Sequence, residues 1–429
     1  MVTPAASHRQ RIVIVGGGFA GAYCAQALER RLRGLDAEAL LLDRNNYLLF
    51  LPLLIEAGTG SLEPRHAVVA IRAFLRRTDF RMGQVLAVDK ARRVVRYMPA
   101  GMEQEVEVSY DHLVLAAGSV TLLPNVPGLR EFGFEMKDLG DAIALRDRAI
   151  GLLEQAEATP DPAARAGLLR LVVVGGSFSG AELAGEFHEF LRAAARHYRA
   201  FRPLDCNVTL IEREGRILRA LDEDLSHYAA GVMRRRGMDV RLNETVKEIR
   251  ADGVTLGSGE FIASRTVVWC AGIAPSPLLA GLGLPLDARG YLRCERDLRV
   301  VGHDNIWAIG DCAVNLGPDG APYPATAQHA VRQGAHLAGN LARALRGEPT
   351  LPCNIVTQGW LAALGCRSGV ARIFGFRFSG LTAWFLWRTV YLMKMPGWGR
   401  RLRIALDWTL GMFFGRETVQ VGVHQGRKR

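Results

Sequence analysis

Two stretches of the chain share one order of apolar and small residues, and each predicts a buried β-strand, a tight turn and a helix. Residues 12–15 are continuously apolar and lead into Gly16, and residues 171–174 lead in the same way into Gly175. An uninterrupted apolar run of this length is typical of a parallel strand that is covered on both faces. The two copies are offset by 159 residues and match almost residue for residue. The pattern therefore predicts two copies of one strand–turn–helix unit.

Four further apolar runs predict additional strands. They are residues 39–43, 110–118, 208–212 and 305–311. The first and third of these runs follow the two glycine turns and end in Asp43 and Glu212, the place where dinucleotide-binding units carry an acid. The chain is therefore predicted to be α/β, with two Rossmann-like dinucleotide-binding domains.

The C-terminal region has a different pattern. Residues 381–393 are strongly apolar but include Arg388, a Pro-Gly-Trp-Gly break follows at residues 396–399, and residues 400–414 mix Arg with Leu, Trp and Phe. This arrangement predicts two amphipathic, membrane-associated helices that are too charged to cross a bilayer and lie in its interface. A core helical hairpin and a homodimer interface are the alternatives, because an aromatic stripe at helical spacing also suits packing between protein surfaces.

Composition sets the limits of these predictions. The 429 residues, 49% of them hydrophobic, suit two or three globular domains. The chain has neither a run of 18 uncharged apolar residues nor a charged-then-apolar start, so a peripheral protein at the cytoplasmic face of the cell membrane is expected.

The net charge of +11 points to an anionic partner. The basic excess is concentrated in the C-terminal region and in the tail of residues 427–429. Because these basic residues are interleaved with Trp and Phe, and no nucleic-acid module is recognisable, an anionic membrane surface is favoured over nucleic acid. A redox-active cysteine pair, a zinc site and any other metal site are not expected, because the seven cysteines lack a CxxC spacing. They are Cys24, Cys206, Cys270, Cys294, Cys312, Cys353 and Cys366.

The glycines of the first turn predict binding of a pyrophosphate. Gly16 permits the tight turn, Gly18 lets the backbone approach a phosphate, and Gly21 lets the helix pack closely on the strand. The N-terminus of the following helix attracts the anion. Asp43, at the end of the second strand, is placed to bind ribose hydroxyls.

The second turn keeps the first and third glycines, Gly175 and Gly180, and carries Ser177 in the middle position. Its strand ends in Glu212, whose carboxylate suits the free 2′-hydroxyl of NADH and repels the 2′-phosphate of NADPH. The nearby Arg213 and Arg216 soften this preference. NADH is therefore the predicted substrate of the second site, and its strictness over NADPH is left open.

Together these motifs resemble those of the flavoproteins with two dinucleotide-binding domains, and most of all the type II NADH:quinone oxidoreductases. The resemblance covers nearly the whole chain and rests on both glycine turns and five further motifs. These are Ala116-Ala117-Gly118, Gly180 to Glu186, Trp269-Cys270-Ala271-Gly272, Gly310-Asp311 and Ala327-Gln328-His329-Ala330. It implies an FAD-binding domain of residues 1–120 and 273–345, an NADH-binding domain of residues 121–272, and a membrane-associating region of residues 346–429.

The resemblance also implies which residues hold each cofactor. Those expected to bind FAD are Gly16, Gly18, Gly21 and Asp43 at the ADP half, Gly118 at the pyrophosphate, Gly310 and Asp311 at the ribityl chain, and Ala327 and Gln328 beneath the isoalloxazine. Those expected to bind NADH are Gly175, Gly180, Glu212 and Gly272.

Three residues are candidates for the chemistry. Glu182, one turn into the second glycine-turn helix, is placed by the resemblance to position the nicotinamide or relay a proton; the alternative is a helix-start carboxylate favoured by the helix dipole. Gln328 and Arg332 fall in a stretch that lines the quinone pocket in the family. Arg332 replaces a family glutamine, so its guanidinium either binds a quinone carbonyl or marks a different acceptor.

The function implied is FAD-dependent oxidation of NADH in a respiratory chain, with two electrons passed to a membrane quinone and no proton pumping. The first alternative is a soluble NAD(P)H-dependent reductase that uses ferredoxin, rubredoxin or oxygen. The second is a membrane-bound NADH sensor that uses FAD structurally. The quinone type and the oligomeric state are not predicted.

Overall fold

The apolar runs that precede the glycine turns form parallel strands in the computed structural model, which describes residues 9–365, 367–420 and 422. The chain divides into two units. The first comprises Met1–Leu48, Val69–Val120 and Ile273–Thr357, and the second comprises Leu49–Val68, Thr121–Gly272 and Gln358–Arg429. Cys366 and the basic tail of residues 427–429 lie outside the described residues. The assignment of FAD and NADH to separate domains, with the boundaries given above, stays a prediction.

The first unit is built on a seven-stranded sheet. In sheet order its strands are Ile306–Ala308, His112–Leu115, Gln10–Val15, Ala37–Asp43, Asp79–Asp89, Val94–Pro99 and Val106–Ser109. The first five run parallel, and the last two join by antiparallel pairing. Residues 12–14 have no exposed surface, as expected for a strand covered on both faces.

The first unit also contains α-helices, 3₁₀ helices and a short strand pair. The α-helices are Phe19–Arg31, Ile71–Phe74 and Ala327–Leu345, the 3₁₀ helices are Pro277–Gly281 and Gly310–Cys312, and a short strand pair is formed by Leu292–Arg293 and Ala313–Val314. Helix Phe19–Arg31 packs against helix Ala327–Leu345. The two helices approach closely at Gly334, where an added Cβ would lie 2.4 Å from the Ala20 carbonyl oxygen.

The second unit repeats the parallel architecture. Its five-stranded sheet has the order Gly133–Phe134, Thr266–Trp269, Arg170–Val174, Asn207–Ile211 and Asp239–Arg241, with every pair parallel. The predicted α/β class with two strand–turn–helix units is therefore confirmed. Two antiparallel sheets accompany it, formed by Val246–Arg250, Gly253–Leu256 and Phe261–Ala263, and by Gly359–Ala363, Gly369–Ile373 and Phe376–Ser379. The second of these was not predicted from the sequence.

The helices of the second unit cover its sheets and form its core. The α-helices are Leu54–Gly58, Leu129–Phe132, Leu139–Glu157, Pro162–Leu168, Phe178–Ala194, Glu223–Arg235, Gly380–Lys394 and Trp398–Phe413, and the 3₁₀ helices are Leu51–Leu53, Pro64–Ala67, Ala195–His197 and Pro203–Asp205. The core centres on helix Phe178–Ala194, whose Phe187 and Phe190 are fully buried. The short strands Tyr47–Leu49, Val68–Ala70, Ser119–Thr121 and Ile273–Pro275 lie where the chain passes from one unit to the other.

The aromatic residues of the two C-terminal helices are not placed as predicted. They were predicted to place their aromatic residues in the membrane interface, but Trp384, Trp387 and Trp408 are buried within the second unit. Other apolar residues of the same helices, Phe385 and Phe413 among them, are more than half exposed. The aromatic positions are therefore divided between a packed face and an exposed face. Within the described part of the chain, no helix is both long enough and apolar enough to span a membrane.

Candidate functional site

The first glycine turn is tight at two positions and open at the third. Gly16 has a φ of +106°, and an added Cβ there would lie 2.3 Å from the Ala116 carbonyl oxygen. A Cβ on Gly21 would lie 1.9 Å from the Gly16 carbonyl oxygen, whereas one on Gly18 would meet nothing within 4 Å. The open position stands at the N-terminus of helix Phe19–Arg31, so the turn leaves room for a phosphate where unpaired N–H groups attract it.

The second glycine turn has the same geometry with one difference. Gly175 has a φ of +107°, and a Cβ on Gly180 would lie 1.8 Å from the Gly175 carbonyl oxygen. Ser177, in the middle position, caps the helix, because its Oγ accepts the Gly180 N–H at 3.4 Å and donates towards the Cys270 carbonyl oxygen at 3.5 Å. The hydroxyl is thus engaged with the protein, which leaves phosphate binding to the backbone N–H groups.

The two predicted ribose acids are held in one and the same way. An Oδ of Asp43 accepts the N–H of Gly17 at 2.6 Å, and its other oxygen accepts the N–H two residues further along the chain at 2.7 Å. Glu212 repeats this pattern with the N–H of Gly176 at 2.6 Å and the N–H two residues further on at 2.8 Å. Each carboxylate oxygen keeps a lone pair for a ribose hydroxyl. Burial raises the pKa of Asp43, and the backbone bonds oppose that rise.

Gly118, Gly310 and Asp311 gather at the carboxyl ends of the first unit's parallel strands. Gly118 has a φ of +65° and open space around its missing side chain, and Asp311 accepts the Ser119 hydroxyl at 3.1 Å. Gln333 orients the Gly310 turn, because its Oε1 accepts the Gly310 N–H at 2.7 Å. Sequence reasoning missed Gln333; a buried amide on a helix otherwise rich in Ala, Gly and Leu is the signal that marks it.

Gly272 belongs to the corresponding edge of the second sheet. It follows strand Thr266–Trp269, whose parallel neighbour is strand Arg170–Val174, the strand that leads into Gly175. Gly272 has a φ of +92°, with the Leu122 side chain 3.2 Å from an added Cβ. Carboxyl ends of parallel strands form the ligand edge of an open α/β sheet, so the predicted NADH residues share one edge.

The helix Ala327–Leu345 carries the predicted flavin and quinone residues of the first unit. Ala327 and Gln328 lie half-buried in its first turn. Arg332 is one turn further along, and its Nη1 donates to the Val356 carbonyl oxygen at 2.6 Å. One donor of this guanidinium is therefore used by the backbone, and its remaining donors are those available to a ligand.

His329 on the same helix has a structural role. Its Nδ1 lies 2.7 Å from the Thr326 hydroxyl, and its Nε2 lies 3.2 Å from the Thr357 hydroxyl. Burial, with a smaller contribution from Arg332, lowers the pKa of His329 to about 4. The imidazole is thus neutral at physiological pH and uses both nitrogens to fix the start of the helix.

Glu182 faces the interior of the second unit rather than the solvent around its helix start. Its Oε1 accepts two hydrogen bonds, from the Ala363 N–H at 3.1 Å and from the Trp387 indole N–H at 2.8 Å. Burial raises the pKa of Glu182 to about 8, against the lowering effect of these two bonds. The carboxyl is therefore largely protonated near neutral pH, with its proton on Oε2, because Oε1 is occupied by donors.

Glu56 is a second carboxyl of this unit with a raised pKa. It is 4% exposed, its Oε2 accepts the Trp408 indole N–H at 2.8 Å, and its Oε1 lies 3.7 Å from the Arg388 guanidinium. Burial raises the pKa of Glu56 to about 7, and Arg388 opposes the rise. Sequence reasoning placed Glu56 only at the end of an apolar loop. A lone acid after an apolar Pro-Leu-Leu run is the sequence signal that marks Glu56 as a candidate functional residue.

Glu186 is a further buried carboxyl of this unit. Glu186, one turn after Glu182, accepts Arg416 Nη2 at 3.0 Å, and Glu189 lies 3.8 Å from the same nitrogen. Glu189 is paired in addition with Arg236 at 3.0 Å. We call Glu56, Glu182 and Glu186, with Arg388 and Arg416, the carboxylate cluster, because the charges of Glu56 and Glu186 contribute to the raised pKa of Glu182. Its acids come from residues 54–58 and helix Phe178–Ala194, and its covering groups come from the C-terminal region.

The predicted site residues therefore form two sets. Those expected to hold FAD, together with Gln328 and Arg332, belong to the first unit, and those expected to hold NADH, together with Glu182, belong to the second. Among the described residues, no group of three or more His, Cys, Asp or Glu side chains is arranged to hold a metal ion.

Family models match most of the chain. Residues 10–334 match the pyridine nucleotide-disulphide oxidoreductase family, and residues 357–417 match the NDH2 C-terminal domain. The chain is 33% identical over 407 residues to the demethylphylloquinone reductase NdbB of Synechocystis, covering 93% of this chain and 96% of that protein. It is 30% identical over 434 residues to the type II NADH:quinone oxidoreductase NdhA of Mycobacterium tuberculosis, covering 97% of this chain and 89% of the relative.

A solved structure has the same fold over almost the full length. NDH2 from Plasmodium falciparum, solved in complex with NADH, superposes with a TM-score of 0.87 at 18% sequence identity. The match covers 96% of this chain and 100% of that one.

Proposed function

The chain belongs to the type II NADH:quinone oxidoreductase family, and from this premise we infer that it oxidises NADH and passes two electrons to a quinone without pumping protons. The observation that carries this conclusion is the pair of glycine turns, each with its own acid bonded to the N–H of the residue after the first glycine, Gly17 in the first turn and Gly176 in the second. The match of residues 357–417 to the NDH2 C-terminal domain favours a quinone over the soluble acceptors ferredoxin, rubredoxin and oxygen.

We propose that the first unit holds FAD. The open positions at Gly18 and Gly118 suit phosphate groups, Asp43 suits the ribose, and Asp311 suits the ribityl hydroxyls. When bound, FAD supplies the redox chemistry, because its isoalloxazine ring accepts a hydride from NADH and gives two electrons to a quinone. The protein contributes binding, orientation and exclusion of water.

We propose that the second unit holds NADH, with the pyrophosphate at the Gly175 turn and the adenosine ribose on Glu212. The fixed carboxylate of Glu212 is prepared for two hydroxyl donors, and it disfavours a 2′-phosphate by charge repulsion. Gly272 supports this site from the neighbouring strand.

We propose that Glu182 stores the proton that accompanies electron transfer. A neutral carboxyl with its proton on Oε2 is ready to donate, and a pKa near the working pH lets it recover that proton. In Glu182→Gln the hydrogen-bond acceptor is kept and the mobile proton is lost, so kcat should fall by roughly 10²-fold or more while the KM for NADH changes little. An unchanged kcat and an unchanged pH profile would contradict this role.

We propose that Gln328 and Arg332 contact the quinone. Arg332 keeps guanidinium donors beyond the one bonded to Val356, and these suit a quinone oxygen that gains negative charge. The variant Arg332→Gln restores the family residue, and we expect it to change the KM for quinone and leave the KM for NADH unaltered. Equal changes in the KM for quinone and in the KM for NADH would contradict the placement of Arg332 in the quinone site.

We propose that the exposed face of the C-terminal helices rests on an anionic membrane surface, at the cytoplasmic face. On helix Trp398–Phe413, the side chains of Leu402, Leu406, Leu410 and Phe413 follow helical spacing and are each more than half exposed. Burial of one such side chain contributes roughly 1.5–3 kcal/mol, and a nearby arginine adds about 1 kcal/mol on anionic lipid. Four side chains with Arg403 are enough for stable peripheral binding.

Flotation with lipid vesicles tests this surface. The wild type should float with vesicles containing phosphatidylglycerol, and the double variant Leu406→Ser/Phe413→Ser should not. The control Leu204→Ser, which removes another exposed apolar residue outside these helices, should float like the wild type. If the wild type stays off the vesicles and is instead a dimer that the double variant dissociates, the face is a homodimer interface.

Reconstituted vesicles test the absence of pumping. Vesicles containing this protein alone and a lipid-soluble quinone should oxidise NADH without building a membrane potential. A potential that forms with NADH oxidation and collapses with a protonophore would contradict the proposal.

A further inference from the structure

The basic residues that follow the ribose acid Glu212 are not equivalent. Arg216 is committed to the backbone, because its guanidinium donates to the carbonyl oxygens of Leu221 at 3.3 Å and Arg219 at 3.5 Å. Arg213 lies next to Glu212 in sequence and is exposed. The sequence pointed to Arg213 and Arg216 as the residues that soften the preference for NADH. In the structure the second arginine of this segment with an exposed guanidinium is Arg219.

Both of these arginines are held by a single acid. Oε1 of Glu214 lies 3.2 Å from Nη2 of Arg213 and 3.3 Å from Nη1 of Arg219. The side chains of Arg213 and Arg219 are 76% and 62% exposed, so apart from this carboxylate they stand in solvent. Exposed ion pairs of this kind are weak and readily exchanged for a stronger anion.

Glu214 is tied to the ribose acid through its backbone. Its N–H donates to Glu212 Oε1 at 2.8 Å, and its carbonyl oxygen accepts the Asn243 N–H at 3.1 Å. The backbone position of Glu214 is thus fixed beside the place where an adenosine ribose binds, while its side chain reaches out to Arg213 and Arg219. Glu214 therefore contacts both Glu212, the acid that suits a ribose hydroxyl, and the two arginines, which suit a phosphate.

We propose that Glu214 is a specificity-determining residue, which occupies Arg213 and Arg219 and thereby masks a binding site for the 2′-phosphate of NADPH. A guanidinium pair matches a phosphate dianion in charge and in donor geometry. In the wild type an incoming 2′-phosphate meets the carboxylates of both Glu212 and Glu214. Without the Glu214 charge, one repulsion is removed and two cations become available. This inference rests on the proposed binding of NADH at the second glycine turn.

Flavin reduction by NADH and by NADPH tests the proposal. In Glu214→Gln, the ratio of kcat/KM for NADPH to kcat/KM for NADH should rise roughly fivefold or more, the size expected for an exposed charge contact. The rise should shrink at high salt, because exposed charges are screened. The matched control is Glu260→Gln, which removes another exposed carboxylate of the same unit that is paired with Arg241 at 3.0 Å, and its ratio should equal that of the wild type.

A second readout separates binding from turnover. Adenosine 2′,5′-bisphosphate, as a competitive inhibitor against NADH, should bind Glu214→Gln more tightly than the wild type, and adding Arg213→Gln and Arg219→Gln should cancel the gain. If NADH reduces the flavin normally but neither the ratio nor the inhibition changes in Glu214→Gln, the inference on Glu214 is overturned and the proposed function stands. If NADH fails to reduce the flavin of the wild type, both are overturned.

Discussion

Replacing Glu182 with Gln tests the protonation state of this carboxyl. In the wild type, Oε1 of Glu182 accepts the N–H groups of Ala363 and Trp387, and the raised pKa of about 8 leaves the proton on Oε2. Glutamine presents a carbonyl oxygen to the same donors and an amide group in place of the protonated oxygen. The variant therefore mimics the neutral acid at every pH.

The magnitude follows from proton linkage. A carboxyl whose folded pKa is raised from 4.5 to about 8 keeps its proton in the folded state and loses it in the unfolded state between these values. Its contribution to stability is fully present below pH 4.5 and is lost as the pH rises towards the folded pKa. The loss is at most about 1.4 kcal/mol per pH unit. Between about pH 5.5 and about pH 7.5, the wild type should lose roughly 2–3 kcal/mol that Glu182→Gln does not lose.

Thermal unfolding of the FAD-bound proteins across this pH range measures the difference. At roughly 2–4 °C per kcal/mol, the Tm of Glu182→Gln should gain about 4–12 °C on the wild type as the pH rises. Glu223→Gln removes an exposed carboxylate of the same unit and serves as the charge control. A Tm difference that stays constant with pH, or that moves in favour of the wild type, would refute the neutral state of Glu182.

Three further predictions concern single contacts. Gly21→Ala places a methyl group 1.9 Å from a backbone oxygen and should lose bound flavin, whereas Gly339→Ala, with open space on a helix of the same unit, should keep the wild-type flavin-to-protein absorbance ratio. Arg416→Met leaves the buried Glu186 carboxylate without its partner and should cost roughly 3–5 kcal/mol in denaturant unfolding; a cost below about 1 kcal/mol would mean that the pair is not buried in solution. Glu212→Gln should raise the KM for NADH about tenfold or more in steady-state assays, the size of a charged hydrogen bond, and an unchanged KM would remove Glu212 from the ribose site.

The parts of the fold that depend on local chemistry could be predicted from the sequence. A continuous apolar run followed by a glycine turn is compatible with few local structures. The strands before Gly16 and Gly175 were therefore predicted close to their observed bounds. Asp43 and Glu212 were predicted at the ends of the next strands for the same reason. The roles of these residues in binding FAD and NADH stay predictions.

The parts of the fold that depend on contacts between residues far apart in the chain could not be predicted from the sequence. The indole groups of Trp387 and Trp408 bond to Glu182 and Glu56, partners 205 and 352 residues away along the chain. Helical spacing alone does not distinguish an indole that meets lipid from one that caps a buried acid. The three-stranded sheet of residues 359–379 was missed because its strands are short and their buried face is set by packing against helices distant in sequence, such as Phe178–Ala194.

One chain takes electrons from NADH and delivers them to a quinone, and an anaerobic flavin spectrum follows both steps in a single experiment. The purified protein is mixed with NADH and then with a menaquinone or ubiquinone analogue in detergent, while the flavin absorbance is followed. We expect rapid bleaching of the flavin with NADH and rapid recovery with the quinone. Bleaching without recovery would contradict the assignment of a quinone as the acceptor, and absence of bleaching would contradict the oxidation of NADH itself.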